Sequence, residues 1–200
     1  MNFSKTKGVL DILDGLSTAL PYPSEYQYYN SLDKNCILIN EAIDEGIIET
    51  ACLPLMQMDK NPDVKEITIL LSTSGGNVYY GFVLCDLIEK LQTKTTVVIM
   101  GLCASMGSLI AMAGHNNKNV TTKAFKSSVG LIHSGSEYLE GSSHAVRDTF
   151  KFTERYEDYI KDYVLTHTNF TEDFYKEIER QEYWMTTKDM LEHEIIDEII

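Results

Sequence analysis

Ser105 stands in the stretch Gly101-Leu-Cys-Ala-Ser105-Met-Gly107, between an apolar run with strand character and a short apolar run with helical spacing. A serine at such a junction, wrapped in small residues, can present its hydroxyl at a helix N-terminus. The free N–H groups and the positive end of the helix dipole suit a developing oxyanion there. His133 closes a second apolar stretch, Val129-Gly-Leu-Ile-His133. A histidine at the end of a neighbouring strand can take the serine's proton. The chemistry alone leaves a plainer reading open, a helix-capping serine and a surface histidine.

The elements that must hold these two residues alternate between α and β patterns. Cys36-Ile-Leu-Ile39 is a short strand candidate, and Glu66-Ile-Thr-Ile-Leu-Leu71 a second, ended by Ser74-Gly75-Gly76. Between them Ile43, Ile47, Ala51, Leu55 and Met58 recur at helical spacing, with Pro54 expected to kink or shorten the helix. From Val78 a helix carries apolar residues on two flanks. Thr95 to Met100 is nearly all apolar, as a central parallel strand covered on both faces requires. Ser105 to Ala113 reads as a short helix stopped by Gly114, and His115 to Thr122 as a polar loop. Ser128 to His133 is a fourth strand, and a long helix with an aromatic stripe runs from about Ser142 to Thr166. The tail from Glu182 to Ile200 is read as another helix and a final apolar segment. Strand–helix–strand repetition of this kind means right-handed βαβ units in an α/β domain. Residues 1–25 are an irregular N-terminal segment and 26–200 a single domain.

Composition narrows the function classes. Two hundred residues suit one domain with a substantial core. A net charge of −13 argues against nucleic acid or an anionic membrane surface as partner. Cys36, Cys52, Cys85 and Cys103 show no metal-binding spacing and lie in apolar runs, so they read as free thiols in a reducing compartment. His115, His144, His167 and His193 show no metal spacing and read as surface or hydrogen-bonded residues; no metal or other cofactor is expected. No apolar stretch reaches membrane-span length, and Asp11 and Asp14 interrupt the nearest signal-like pattern. The expected location is cytoplasmic.

Several motifs, in order, resemble the ClpP serine peptidases of the ClpP/crotonase superfamily. Ile69-Leu-Leu-Ser-Thr-Ser-Gly75-Gly76-Asn-Val-Tyr-Tyr-Gly81, with Asp86 beyond, resembles the "INSPGG-x-V-x-x-G…D" strand–turn–helix. Gly101 to Gly107 resembles the "G-x-A-A-S-M-G" nucleophile segment, and Leu131-Ile-His133 the "M-I-H" segment. Ser31 to Ile39 is similar to the early strand entry, His167-Thr168 to "H-T-G", and Glu194 to Ile200 to the "G-L-I-D-x-I" ending. The resemblance runs from about residue 26 to 200. It implies a ClpP/crotonase-like α/β fold with a protruding long helix, the handle. It also implies Ser105 as nucleophile, His133 as general base, and the N–H groups of Gly76 and Met106 as oxyanion hole. The implied protein is a self-assembling serine endopeptidase whose acyl-enzyme forms inside stacked rings. Its substrate would be peptide or unfolded protein, with an AAA+ unfoldase as a possible partner.

The third catalytic residue departs from the pattern. Counting without gaps from His167-Thr168, or back from Trp184, sets the family's "D-T-D/E-R-D" aspartate on Ile178, which cannot orient an imidazole. Glu177 and Glu179 flank it, and reading Glu177-Ile-Glu-Arg180 as "D-T-D-R" makes Glu177 the stand-in, with Glu179 or no acid as the alternatives. The "H-Q-P" after the histidine is His133-Ser134-Gly135 here, and Glu194 replaces a glycine. The first 25 residues do not match the axial loops that dock unfoldases. Two rivals therefore stand beside the peptidase: a catalytically weakened ring subunit with a structural role, and a crotonase-type acyl-CoA enzyme. Cys103, where an α/β-hydrolase elbow needs glycine, and the chain order of Ser105 and His133 set lipases aside.

Overall fold

The computed structural model describes residues 30–135 and 139–200. The chain divides into two compact units, Met1–Lys34 and Asn35–Ile200, and all elements below belong to the second. The irregular segment expected over residues 1–25 lies outside the described residues.

Alternating burial builds the sheet. Strand β1 (Cys36–Ile39) pairs in parallel with β2 (Glu66–Thr73), which buries Ile67, Ile69, Leu71 and Thr73 on one face. Strand β3 (Lys94–Ala104) lies beside β2, and β4 (Val120–Ala124) follows it, again in parallel. Between β1 and β2, Ile43 does not join a helix as its spacing suggests. It forms a parallel bridge with Gly76. The helical segment begins with a π turn, Ile48–Cys52, where Leu53 N–H donates to the Ile48 carbonyl, and continues as α1 (Leu53–Lys60). Pro54 follows this π turn inside a continuous helical segment, so the irregular turn, not a free helix end, accommodates its ring and its missing N–H.

Helix α2 (Val78–Lys90) is capped by Asn77, whose Oδ1 accepts from Tyr79 N (2.9 Å) and Tyr80 N (3.4 Å). After β3 comes α3 (Met106–Met112), buried along its whole length. The polar loop expected up to Thr122 is shorter, because β4 begins at Val120. Its Thr122 is buried with the hydroxyl donating to the Ala111 carbonyl at 3.0 Å, so a polar residue sits inside without a lost hydrogen bond.

Strand β3 runs beyond the predicted Met100 because it serves two neighbours. Thr95–Ile99 pair with β4, whereas Leu102–Ala104 pair with β5 (Val129–Ile132). Gly101, at φ +82°, makes the break. The buried Ser128 hydroxyl donates to the Ile99 carbonyl (3.0 Å) and accepts from Gly101 N (3.1 Å), replacing ladder bonds lost at the split.

Helix α4 (Ser143–Thr166), capped by Ser142, buries only Tyr163 and Val164 near its end, as a protruding helix does. Helix α5 (Glu172–Ile178) follows, capped by Thr171. The tail departs from the expected helix: Tyr183–Thr186 form β6, antiparallel to β5, then come α6 (Thr187–Glu192) and β7 (Glu198–Ile199) beside β4.

Candidate active site

Ser105 sits where β3 hands over to α3, with φ +54° and ψ −121°, a backbone region that a residue with a side chain occupies only when its surroundings hold it. Those surroundings are visible. Ser105 N–H donates to the Leu131 carbonyl of β5 at 2.8 Å. The Ser108 hydroxyl lies 2.9 Å from both the Cys103 and Leu131 carbonyls, pinning the end of β3 to β5. The turn after β2 presses on the same elbow. A Cβ at Gly75 would lie 2.6 Å from the Ala104 carbonyl oxygen and 2.7 Å from Ser105 Cβ, so only glycine fits.

Gly76 is oriented by its bridge. Ile43 N–H donates to the Gly75 carbonyl (2.8 Å) and Asn77 N–H to the Ile43 carbonyl (2.7 Å). In a parallel bridge of this pattern the central residue turns its own N–H and C=O to the opposite side, here away from Ile43. Met106 opens α3, so its N–H belongs to the first turn, which no intrahelical carbonyl serves.

A cavity of about 250 Å³ opens beside the elbow. Ser105, Met106 and His133 line it, with Val78, Leu109, Ile132, Ile160 and Val164 supplying apolar wall and Glu157, Tyr175, Glu179 and Arg180 polar wall. His133, half-buried, follows the last residue of β5. The structure thus brings Ser105, Met106 and His133 to one cavity.

It does not bring Glu177 there. Glu177 is exposed on α5, where its carbonyl accepts from Gln181 Nε2 at 2.7 Å, and Ile178 points into the core. The residue counted onto the family aspartate is a packing residue, and the preceding glutamate faces the other way on the helix. Glu179 does line the cavity, with Oε1 3.6 Å from Arg180 Nε, and its carbonyl accepts from Ser134 N at 3.2 Å. The β5–β6 ladder ends at Ile132 with Tyr183, and the contact of Ser134 N with Glu179 departs from its register, so the pairing does not continue through His133. Glu182 is exposed, and its Oε2 accepts from Trp184 Nε1 at 3.2 Å. Among the described residues no hydrogen bond joins the His133 ring to Ser105 or to a carboxylate.

The remaining polar groups are structural in their contacts. His167 is buried, with Nδ1 2.8 Å from the Tyr163 carbonyl and Nε2 3.1 Å from Glu89 Oε1. Tyr183 Oη and His193 Nε2 are 2.9 Å apart, and burial lowers the His193 pKa. Burial pushes the Cys52 thiol up to about 11 and those of Cys85 and Cys103 further, so Cys103 is no rival nucleophile to Ser105. Among the described residues no group of three or more His, Cys, Asp or Glu could hold a metal ion, and no helix is long and apolar enough to cross a membrane.

A mostly parallel sheet whose central strand splits at a glycine, with a strained serine at the strand-to-helix turn and a histidine in the same cavity, is the architecture of a ClpP/crotonase-like α/β protein. The family model described as Clp protease matches residues 22–200, and the chain belongs to that family. It is 25% identical over 177 residues to the ATP-dependent Clp protease proteolytic subunit of Deinococcus radiodurans, covering 88% of this chain and 85% of the relative. The subunits of the same name from Lactococcus lactis subsp. cremoris (26% over 185 residues, 88% of each chain) and Streptococcus mutans (24% over 182 residues, 88% and 89%) are similar to the same degree.

Proposed function

We propose that this chain is a serine endopeptidase that cleaves peptide bonds through an acyl-enzyme on Ser105. The observation that carries this reading is the convergence of Ser105, held at φ +54°, and His133 on one cavity with an apolar wall. His133 takes the Ser105 proton as Oγ attacks the scissile carbonyl. The resulting oxyanion is held by the N–H groups of Gly76 and Met106. His133 then gives its proton to the leaving amine, the C–N bond breaks, and the acyl group remains on Ser105 as an ester. Water, deprotonated by His133, releases it. Glu179 is the acid that orients His133, since it lines the same cavity and its carbonyl accepts from Ser134 N, next to the histidine. Its carboxylate needs only to turn from Arg180 Nε; hydrogen bonds of this kind are commonly loose before substrate binds and tighten with it.

The relatives' name, an ATP-dependent proteolytic subunit, supports work alongside an ATPase, and the family supports assembly into rings that enclose the nucleophile. Among the described residues no carboxylate is hydrogen-bonded to His133, which favours a second reading, a catalytically weakened ring subunit. One experiment separates them. A fluorophosphonate probe followed by mass spectrometry should place the adduct on Ser105 and lose it in Ser105→Ala. No adduct from mildly acidic to alkaline pH leaves the structural subunit standing. The crotonase-type reading has no need of the Ser105–His133 convergence.

A further inference from the structure

We propose that Thr73 is a positioning residue for the oxyanion hole: its buried hydroxyl ties together the two segments that aim the Gly76 N–H. The inference rests on the peptidase reading of Ser105. Thr73 ends β2 at the point where the sheet changes register. Leu71 pairs with Ile99, but Thr73 pairs with Cys103, two residues before Ser105. Its Oγ1 donates to the Glu41 carbonyl at 2.6 Å and accepts from Gly75 N–H at 3.1 Å. The hydroxyl therefore acts as donor and acceptor at once, which only an O–H at this position can do. Glu41 leads into Ile43, whose N–H donates to the Gly75 carbonyl and whose carbonyl accepts from Asn77 N–H, on either side of Gly76. The Thr73 clamp and the Ile43 bridge thus hold the same two segments together.

The same side chain reaches the helix that carries the second donor. A Cβ at Gly107 would lie 2.7 Å from Thr73 Cγ2, so the first turn of α3 rests on the Thr73 methyl group. A Cβ at Gly75 would lie 2.9 Å from Met106 N, which sets the clamped turn against the start of that helix. Gly75 is buried and Gly76 exposed, as a donor that must meet a substrate requires. Without the hydroxyl, the buried Gly75 N–H loses its partner, and the turn is free to move towards another. Two donors stabilise an oxyanion only while both point at one oxygen. A small shift of the turn therefore weakens transition-state binding and leaves ground-state binding nearly intact.

Thr73→Val keeps the shape and the methyl group and removes the hydroxyl, whereas Thr73→Ser keeps the hydroxyl. With both variants folded by circular dichroism, Thr73→Val should lower kcat for a small fluorogenic peptide about tenfold with KM nearly unchanged. Thr73→Ser should recover most of that loss. A residue that only supports the fold would lower the denaturant midpoint of Thr73→Val and leave kcat where it was. That result would overturn the proposal, as would a loss that Thr73→Ser does not recover. If Thr73→Val does not fold, Thr73→Cys set against Thr73→Ser makes the same comparison, because a thiol donates and accepts only weakly; equal kcat in those two would overturn it. Hydrogen exchange over residues 74–77, read by mass spectrometry, requires no turnover. Faster exchange in Thr73→Val than in Thr73→Ser, beside an unaltered chain that neither cleaves peptide nor takes a fluorophosphonate, would overturn the peptidase reading while upholding the clamp. Equal exchange in the two would overturn the clamp itself.

Discussion

At the scale of single residues, three glutamates near the end of α5 compete for one role, and geometry separates them. Glu177 and Glu182 face solvent, and Glu179 sits on the cavity wall beside Arg180. Glu179→Gln should lower kcat for small-peptide cleavage about a hundredfold or more with little change in KM, because the imidazolium formed during acylation loses its counter-charge. Glu182→Gln and Glu177→Gln should cost nothing measurable; a loss at 177 or 182 as large as at 179 would remove the acid from the cavity wall. Ile178→Asp would not restore a family aspartate. That side chain is buried, and an unpaired carboxylate there should destabilise the fold by several kcal/mol, seen as a lower denaturant midpoint. Gly76→Ala should be worse than either for activity. A Cβ at φ +148° would lie 2.3 Å from the Ile43 carbonyl oxygen, so the Gly76 N–H could not keep its direction. Wild-type cleavage by soluble Gly76→Ala would remove Gly76 from the oxyanion hole.

At the scale of elements, the sequence was readable where one local rule decided the outcome. The apolar runs at Glu66–Leu71 and Thr95–Met100, the helix from Val78 and the serine between a strand and a helix all lie where their patterns put them. It was opaque where two segments must meet. Nothing local announces that Ile43 bridges Gly76, that Val120–Ala124 fills a place beside β3, or that Tyr183–Thr186 pairs with β5. The contact of Ser134 N with the Glu179 carbonyl, which sets Glu179 beside the histidine segment, is hidden for the same reason. The same tail carries a local device that can be checked. Thr186 and Asp189 form a capping box on α6, with Asp189 Oδ2 2.7 Å from both the Thr186 N and Oγ1. These hydrogen bonds, the hydroxyl's first, hold the Asp189 carboxyl below its ordinary value. A lowered carboxyl pKa gives stability that is present above the unfolded value, about 4, and is lost as pH falls through the folded value. Asp189→Ala should therefore cost a few tenths of a kcal/mol near neutrality, the range left to an exposed charged contact after solvent screening. The gap between variant and parent in urea unfolding should narrow below pH 4; a gap that stays constant would mean that the carboxylate contributes nothing through the cap.

At the scale of the whole molecule, the helix that protrudes from the sheet carries apolar surface left exposed among the described residues. Phe150, Phe152 and Tyr159 on α4 are 53%, 42% and 46% exposed. Tyr79 of α2 stacks on Phe152 with ring centroids 6.4 Å apart and is itself 48% exposed. Aromatic surface left open on this scale is normally covered by a partner. A chain with net charge −13 also repels its own copies, so the aromatic contacts must outweigh that repulsion, and salt should help them do so. The chain should therefore run as a high-order cyclic oligomer in native mass spectrometry or light scattering, and its assembly should strengthen from low to moderate ionic strength. Phe150→Ser with Phe152→Ser should weaken assembly while far-ultraviolet circular dichroism stays unchanged, because both rings lie mainly in solvent within one subunit. A well-behaved monomer at micromolar concentration in moderate salt would dispose of the chamber. Ser105 would then be a nucleophile open to any protein in solution, and restriction of substrates would fall to the cavity alone.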